Sequence, residues 1–144
     1  MTKKFAQGKY QILNPDKYVG NHIPHYRSSW EHAFMRFCDT NDNILQWASE
    51  AISIPYRNPL TGKMSRYVPD FFVSYRDKNN KIKAEIIEIK PKKQSMITER
   101  MSTRDRAAVA VNMAKWDQAT KWCRKNAMTF RVVTEEEIFH QGTR

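Results

Sequence analysis

The sequence has no apolar run approaching the ~18 residues that a membrane span needs. Its start, Met1-Thr2-Lys3-Lys4, leads into no hydrophobic signal segment. It holds only 2 cysteines, Cys38 and Cys123, far apart and both in helix-like sequence. That excludes a disulfide framework and predicts reduced, buried thiols of an intracellular protein. His22 and His25 lack a second cysteine or histidine pair at zinc spacing, so they read as loop histidines rather than zinc ligands. Internal repeats and a second hydrophobic unit are missing too, and 144 residues suit one domain, 1–144. Acidic residues are scarce: 15 Asp+Glu stand against 25 Lys+Arg, for a net charge of +10. A pI near 9.8 points to a polyanionic partner, of which nucleic acid is the commonest. What is present is a hydrophobic share of 40% with 12% aromatics, enough for a folded core.

Residues 1–27 are basic and loop-like, punctuated by Gly8, Pro15, Gly20 and Pro24. Ser28 is an N-cap candidate with Glu31 three residues on, as in a capping box. Trp30, Ala33, Phe34 and Phe37 keep helical spacing to about Cys38, and residues 39–43 break it. Residues 44–55 read as one or two short strands, and 58–63 as a turn. Residues 67–75 and 82–90 are the two best strands, joined across Asp77-Lys78-Asn79-Asn80. A polar, basic stretch spans 92–106, the best helix spans 107–125, and 128–134 reads as a last strand before a short helix at 135–139. The order, roughly α-β-β-β-α-β, predicts an α/β (α+β) fold with a mixed central sheet flanked by helices.

Val68-Pro69-Asp70-Phe71-Phe72 and Glu85-Ile86-Ile87-Glu88-Ile89-Lys90 place two carboxylates and a lysine on apolar strands. Such groups are costly to bury without a purpose. If Lys78-Asn79-Asn80 is a three-residue loop, Asp70 lies opposite Glu88, and a five-residue loop gives the same pairing. A two-residue loop would send them to opposite faces. In the favourable register Asp70, Glu88 and Lys90 share a face with Val68, Phe72 and Ile86, while Tyr67, Phe71, Val73, Ile87 and Ile89 take the other. Both faces are partly apolar, so both should be covered. Facing carboxylates repel unless a cation lies between them. Mg²⁺, with Mn²⁺ as a substitute, takes one or two carboxylates together with water and substrate phosphate. Lys90 points at the same spot, where it can position water or stabilise developing charge. A solvated cross-strand ion-pair ladder is the plainer account of the same residues.

Pro69-Asp70 with Glu88-Ile89-Lys90 resembles the signature of the PD-(D/E)xK nuclease superfamily. That resemblance implies a restriction-endonuclease-like core, metal bound by Asp70 and Glu88, and water assisted by Lys90. It also implies a glutamate from the first helix, a position Glu31 matches. Tyr26-Arg27-Ser28-Ser29-Trp30-Glu31, Trp47-Ala48-Ser49-Glu50, Tyr67-Val68-Pro69-Asp70-Phe71, Glu88-Ile89-Lys90-Pro91-Lys92-Lys93 and Asn112-x-x-Lys115-Trp116 look like the head completion nucleases of T4-like tailed phages. The end-cutting nuclease subunit of Tn7-type transposons is more distantly similar. The resemblance implies Mg²⁺-dependent hydrolysis of DNA to 5′-phosphate and 3′-hydroxyl ends. It also implies a place late in capsid assembly, in the host cytoplasm or with the virion, and head, neck or packaging proteins as partners.

Several residues carry two readings. Glu31 is either a capping-box residue reaching the Ser28 amide or the third acid of the site. Asn112 and Lys115 share one helix face, beside an apolar stripe of Val109, Met113, Trp116 and Cys123. There Lys115 is either a phosphate contact or a solvated lysine. Arg27, Lys92, Lys93, Arg100, Arg104 and Arg106 are candidate contacts to the DNA backbone, with Asn112 beside them. The four tryptophans suit core packing better than base stacking. Two rival functions remain: a head-assembly protein that binds DNA or capsid without cutting, and a transposase-type end-cutting subunit.

Overall fold

The computed structural model describes residues 7–92 and 100–137. Its elements run β1 (Gly8–Lys9), a 3-10 turn (Pro15–Lys17), β2 (His25–Tyr26), α1 (Ser29–Thr40), β3 (Ile44–Ser49), β4 (Ile54–Arg57), β5 (Met64–Tyr67), β6 (Phe71–Arg76), β7 (Ile82–Ile89), α2 (Thr103–Lys125) and β8 (Thr129–Val133). The central sheet has the order β3-β6-β7-β8. Its first two pairings are antiparallel and β7/β8 is parallel. A parallel neighbour needs a crossover, which α2 supplies. With the β4–β5 hairpin set aside, the core order is the expected α-β-β-β-α-β.

The register condition set by the sequence is met. Phe71 pairs with Ile87 and Arg76 with Ile82. The Asp77 amide donates to the Lys81 carbonyl at 2.9 Å and the Asn80 amide to the Asp77 carbonyl at 2.9 Å, closing a three-residue loop. Asn80 takes φ 63° there, the left-handed conformation such a loop needs. The Asp77 carboxylate fastens the loop by accepting from the Asn79 and Lys81 amides.

Both faces of the sheet are covered. On one, Phe34, Met35 and Cys38 of α1 pack with Trp47, Phe71, Val73, Ile87, Ile89 and Val133. On the other, α2 joins the inner residues of the β4–β5 hairpin, Ile54, Tyr56 and Tyr67, with Ala119 buried between them. Both cysteines are buried free thiols. Among the described residues no helix is long and apolar enough to cross a membrane.

Four local expectations need correction. Residues 67–75 are not one strand: β5 ends at Tyr67 and β6 begins at Phe71. Pro69 cannot donate to a ladder, and the chain turns through it from one hairpin into the central sheet. Tyr67 therefore pairs with Ile54 and faces α2, opposite to the side that alternation assigned it. The second helix starts at Thr103, because the Ser102 hydroxyl accepts from the Asp105 amide at 3.1 Å as an N-cap, so Arg104 and Arg106 are helical. The first helix runs through Asp39, which is fully buried rather than part of the break. The Asp39 carboxylate accepts from the Tyr10 hydroxyl and the Leu13 and Asn14 amides at 2.7 to 3.0 Å, and so ties the N-terminal segment to the helix end. Finally, Met113 is 47% exposed and Ala33 is exposed, so neither joins its expected apolar stripe.

Candidate active site

The site forms where the β6–β7 ladder ends. Beyond the Phe71/Ile87 pair, Asp70 stands at the register position facing Glu88. Pro69 has interrupted the strand, and the Asp70 side chain takes over from the backbone: its Oδ2 accepts from the Ile89 amide at 2.8 Å. From the neighbouring strand, the Glu50 amide donates to the Asp70 carbonyl at 2.9 Å. Asp70 is thus held from both sides. On β7, Glu88 is buried and its Oε1 accepts from the Tyr67 hydroxyl at 2.7 Å.

Burial raises the pKa of Asp70 well above the ordinary carboxylate range, and the charge of Glu88 and then of Glu31 pushes it the same way. The Ile89 amide and Lys90 oppose this. Burial raises Glu88 as well, countered by the Tyr67 hydroxyl, Lys90, the Asp70 amide and Lys115. Burial, and then Glu88, also push the Tyr67 hydroxyl far above its usual value, so it stays a proton donor. The Trp116 indole N–H lies near enough to the Tyr67 hydroxyl to pull the other way, but it forms no well-made hydrogen bond.

Two lysines flank this acidic pair. Lys90 Nζ lies 3.7 Å from Glu88 Oε2, with its side chain 26% exposed at the mouth of the site. Lys115 comes from α2, so that helix does cover the acidic face of the sheet. Its Nζ sits 5.6 Å from the Tyr67 ring centroid and 5.8 Å from that of Tyr56, a cation held over aromatic faces. Its charge reaches Glu88.

Glu31 does not make the expected reciprocal capping-box bond. The Ser28 hydroxyl accepts from the Glu31 amide at 3.1 Å, so Ser28 is the N-cap. Glu31 Oε1 accepts from the Arg27 amide at 3.0 Å rather than from that of Ser28. Its negative charge nonetheless bears on Asp70. The sequence placed Glu50 in a segment that carries the family resemblance but gave it no role; it adopts φ 49° although it is not glycine. Such backbone strain persists only where surrounding structure enforces it, and functional sites are a common location. Glu50 Oε2 pairs with Arg27 Nη1 at 3.0 Å. That bond is the main reason the Arg27 pKa is raised, with Glu31 and Asp70 adding to it. Arg27 is therefore drawn toward the acidic side of the site.

The remaining candidates lie farther out. Lys92 donates through its amide to Glu135 at 2.9 Å and through Nζ to Glu136 at 3.5 Å. Arg106 Nε donates to the Met101 carbonyl at 3.4 Å, while Arg100 and Arg104 are exposed. Asn112 is buried against the sheet side of α2. Lys93 lies outside the described residues. Trp47 is fully buried, and Trp30, Trp116 and Trp122 pack against the two cores.

Could these residues hold a divalent metal? Among the described residues no three carboxylates, histidines or cysteines converge as a ready cage. The donors at the site are nevertheless hard oxygens, the half-buried Asp70 and the buried Glu88, and the charge of Glu88 opposes the ionisation of Asp70. A cation between them would relieve that opposition. An ion completed by water and substrate oxygen needs no third protein ligand, which is the usual habit of Mg²⁺. Asp70 and Glu88 fit such an ion, with Glu31 as an outlying charge.

Residues 41–135 match the family described as TnsA-like endonuclease N terminal. The chain is also 33% identical over 142 residues to the head completion nuclease of Enterobacteria phage T4, covering 91% of this chain and 92% of that protein. Both matches span Asp70, Glu88 and Lys90, and the second extends over most of the fold.

Proposed function

The chain belongs to the TnsA-like endonuclease family, and from that premise we propose that it is a Mg²⁺-dependent deoxyribonuclease that processes DNA ends as a phage head is completed. The observation that carries this reading is the register of β6 and β7, which sets Asp70 against Glu88 beside Lys90. A protein that only bound DNA would have no use for a carboxylate pair set face to face, with the charge of Glu88 opposing the ionisation of Asp70.

In this reading Asp70 and Glu88 hold the metal. Bound there, it would supply Lewis-acid stabilisation of phosphate charge and a water of lowered pKa. Lys90 positions the attacking water and offsets charge that builds on the scissile phosphate. Tyr67 fixes one Glu88 oxygen and leaves the other toward Lys90. Lys115 brings a second positive charge from α2, and Glu31 completes the acidic wall. Hydrolysis leaves 5′-phosphate and 3′-hydroxyl ends. Arg27, Arg100, Arg104, Arg106, Lys92, Lys93 and Asn112 are assigned to the DNA track. Capsid or packaging proteins are the proposed partners, and the host cytoplasm during infection is the proposed place of action.

Plasmid and linear DNA cleavage in Mg²⁺ or Mn²⁺ tests the proposal. Wild type cuts, chelation stops it, and Asp70→Ala and Lys90→Ala reduce the rate at least about a hundredfold. Equal cutting by all three proteins would refute the assignment. No cutting by pure wild type with either metal would favour the non-catalytic reading.

A further inference from the structure

The inner side of the β4–β5 hairpin serves the carboxylate site through Tyr56 and Tyr67, while its outer side is left unused. Residues 53–66 hold Arg57, Lys63 and Arg66 and no acidic residue. Alternation sorts the hairpin cleanly. Ile54, Tyr56 and Tyr67 are buried toward α2, while Pro55, Arg57, Met64 and Arg66 are exposed on the outer side. Lys121, Arg124 and Lys125 of α2 adjoin it, lining a shared cleft with Ile54, Pro55 and Trp122. A helix C-terminus attracts cations for its own sake, which accounts for Arg124 and Lys125 but not for the hairpin. One acid intrudes: Asp117 pairs with Lys121 at 3.1 Å.

The hairpin is also preorganised. Arg57 Nη1 donates to the Gly62 carbonyl at 2.6 Å. Arg66 donates through Nε to the Ser53 hydroxyl at 2.6 Å and through Nη2 to the Ser53 carbonyl at 3.1 Å. A guanidinium has five N–H donors, so both arginines are held in place with donors to spare. In the turn, the Asn58 carbonyl accepts from the Gly62 amide at 2.8 Å, and the Asn58 side chain accepts from the Leu60 amide at 2.8 Å. Gly62 takes φ +73°, which a side chain would resist. This fixed turn holds Leu60 59% exposed at its tip, with Met64 58% exposed beside it. An apolar tip ringed by cations fits a DNA groove, where apolar side chains enter between flanking phosphate contacts.

We propose that the β4–β5 hairpin is a duplex-DNA arm, with Arg57, Lys63 and Arg66 on the phosphates and Leu60 entering a groove. The inference rests on the nuclease reading and adds to it the surface that grips the duplex. The arm adjoins the chemistry: Arg66 faces outward, and the next residue, Tyr67, faces inward with its hydroxyl on Glu88. A duplex gripped by the arm therefore runs beside the carboxylate pair.

The test is fluorescence anisotropy of a labelled duplex, with EDTA present so that cleavage plays no part, over a range of salt concentrations. Each phosphate contact contributes about 0.9 to the slope of log K against log salt, so the Arg57→Gln/Lys63→Gln/Arg66→Gln protein should lose about 2.7 from that slope. Because Arg57 and Arg66 also brace the hairpin, Lys63→Gln alone is the second variant, with an expected loss of about 0.9. Leu60→Ser should weaken duplex binding severalfold and leave the slope unchanged. Unaltered slopes in both charge variants would overturn the arm, and unaltered affinity in Leu60→Ser would remove the tip from the interface. Asp70→Ala separates the two readings. If it binds with the full slope but still cuts, the arm stands and the catalytic assignment fails.

Discussion

Asp70 shows at the scale of one residue how a carboxylate set beside Glu88 costs stability. Burial and Glu88 hold its pKa above the ordinary 3.8 of the unfolded chain. The folded protein therefore binds that proton more tightly, and its stability is lost as pH rises from the unfolded pKa toward the folded one. Asp70→Asn keeps an acceptor for the Ile89 amide and removes the charge. In EDTA the variant should melt above wild type near neutral pH, and the gap should close toward about pH 4, where wild type is protonated in both states. A gap that widened in acid would contradict the assigned cause. Glu50 offers a second test. At φ 49°, glycine relieves backbone strain that alanine retains, and both lose the Arg27 ion pair. Urea denaturation should find Glu50→Gly more stable than Glu50→Ala by about 1 kcal/mol. Equal stabilities would mean that residue 50 carries no strain. Asp70, Glu88 and Lys90 were legible in the sequence because charge on apolar strands stands out. Glu50 was not, because its conformation is imposed by contacts distant in sequence.

At the scale of elements, the decisive feature is the turn after β6. Side chains alternate along a strand, so moving the register by one residue moves every group on one strand to the other face. Deleting Lys78 parts Asp70 from Glu88 where a three-residue loop re-forms from Asp77-Asn79-Asn80 with Arg76 facing Lys81; a two-residue loop still closed by Asp77 and Lys81 keeps them facing. Nuclease activity should vanish in the slipped register, with a folded circular-dichroism spectrum, and cross-strand nuclear Overhauser contacts distinguish the two registers. A slipped variant that cut at the wild-type rate would show that the facing pair is not needed. Counting through Asn79-Asn80 reduced the register to a choice of loop length, which the Asp77–Lys81 and Asn80–Asp77 hydrogen bonds decide. It was not enough to place Tyr67, because residues 67–75 read as one strand rich in aromatic and β-branched residues. Only the pairing of Tyr67 with Ile54 reveals that the run belongs to two sheets. The helix start at Ser102 was equally hidden, since the basic residues after it resemble a loop until the cap is seen.

At the scale of the whole molecule, the two cores divide the work. The α1 side closes the sheet with large apolar side chains and anchors the N-terminal segment through Asp39. The α2 side carries Lys115 over the acids and supports the basic hairpin. The net charge of +10 stands beside the Asp70–Glu88 pair, as suits a nuclease whose substrate is a polyanion. Charge and element order made the fold class legible, while the second core depended on packing that composition cannot show. In the proposed function Glu88 takes part in the chemistry rather than in holding the fold or the DNA. Glu88→Gln keeps the shape and an oxygen for Tyr67 while removing the charge. Its single-turnover cleavage of a linear duplex in Mg²⁺ is measured alongside duplex affinity in EDTA. A metal-holding Glu88 gives the variant a rate at least about a hundredfold below wild type with unchanged affinity, whereas wild-type cleavage by Glu88→Gln would rule that role out.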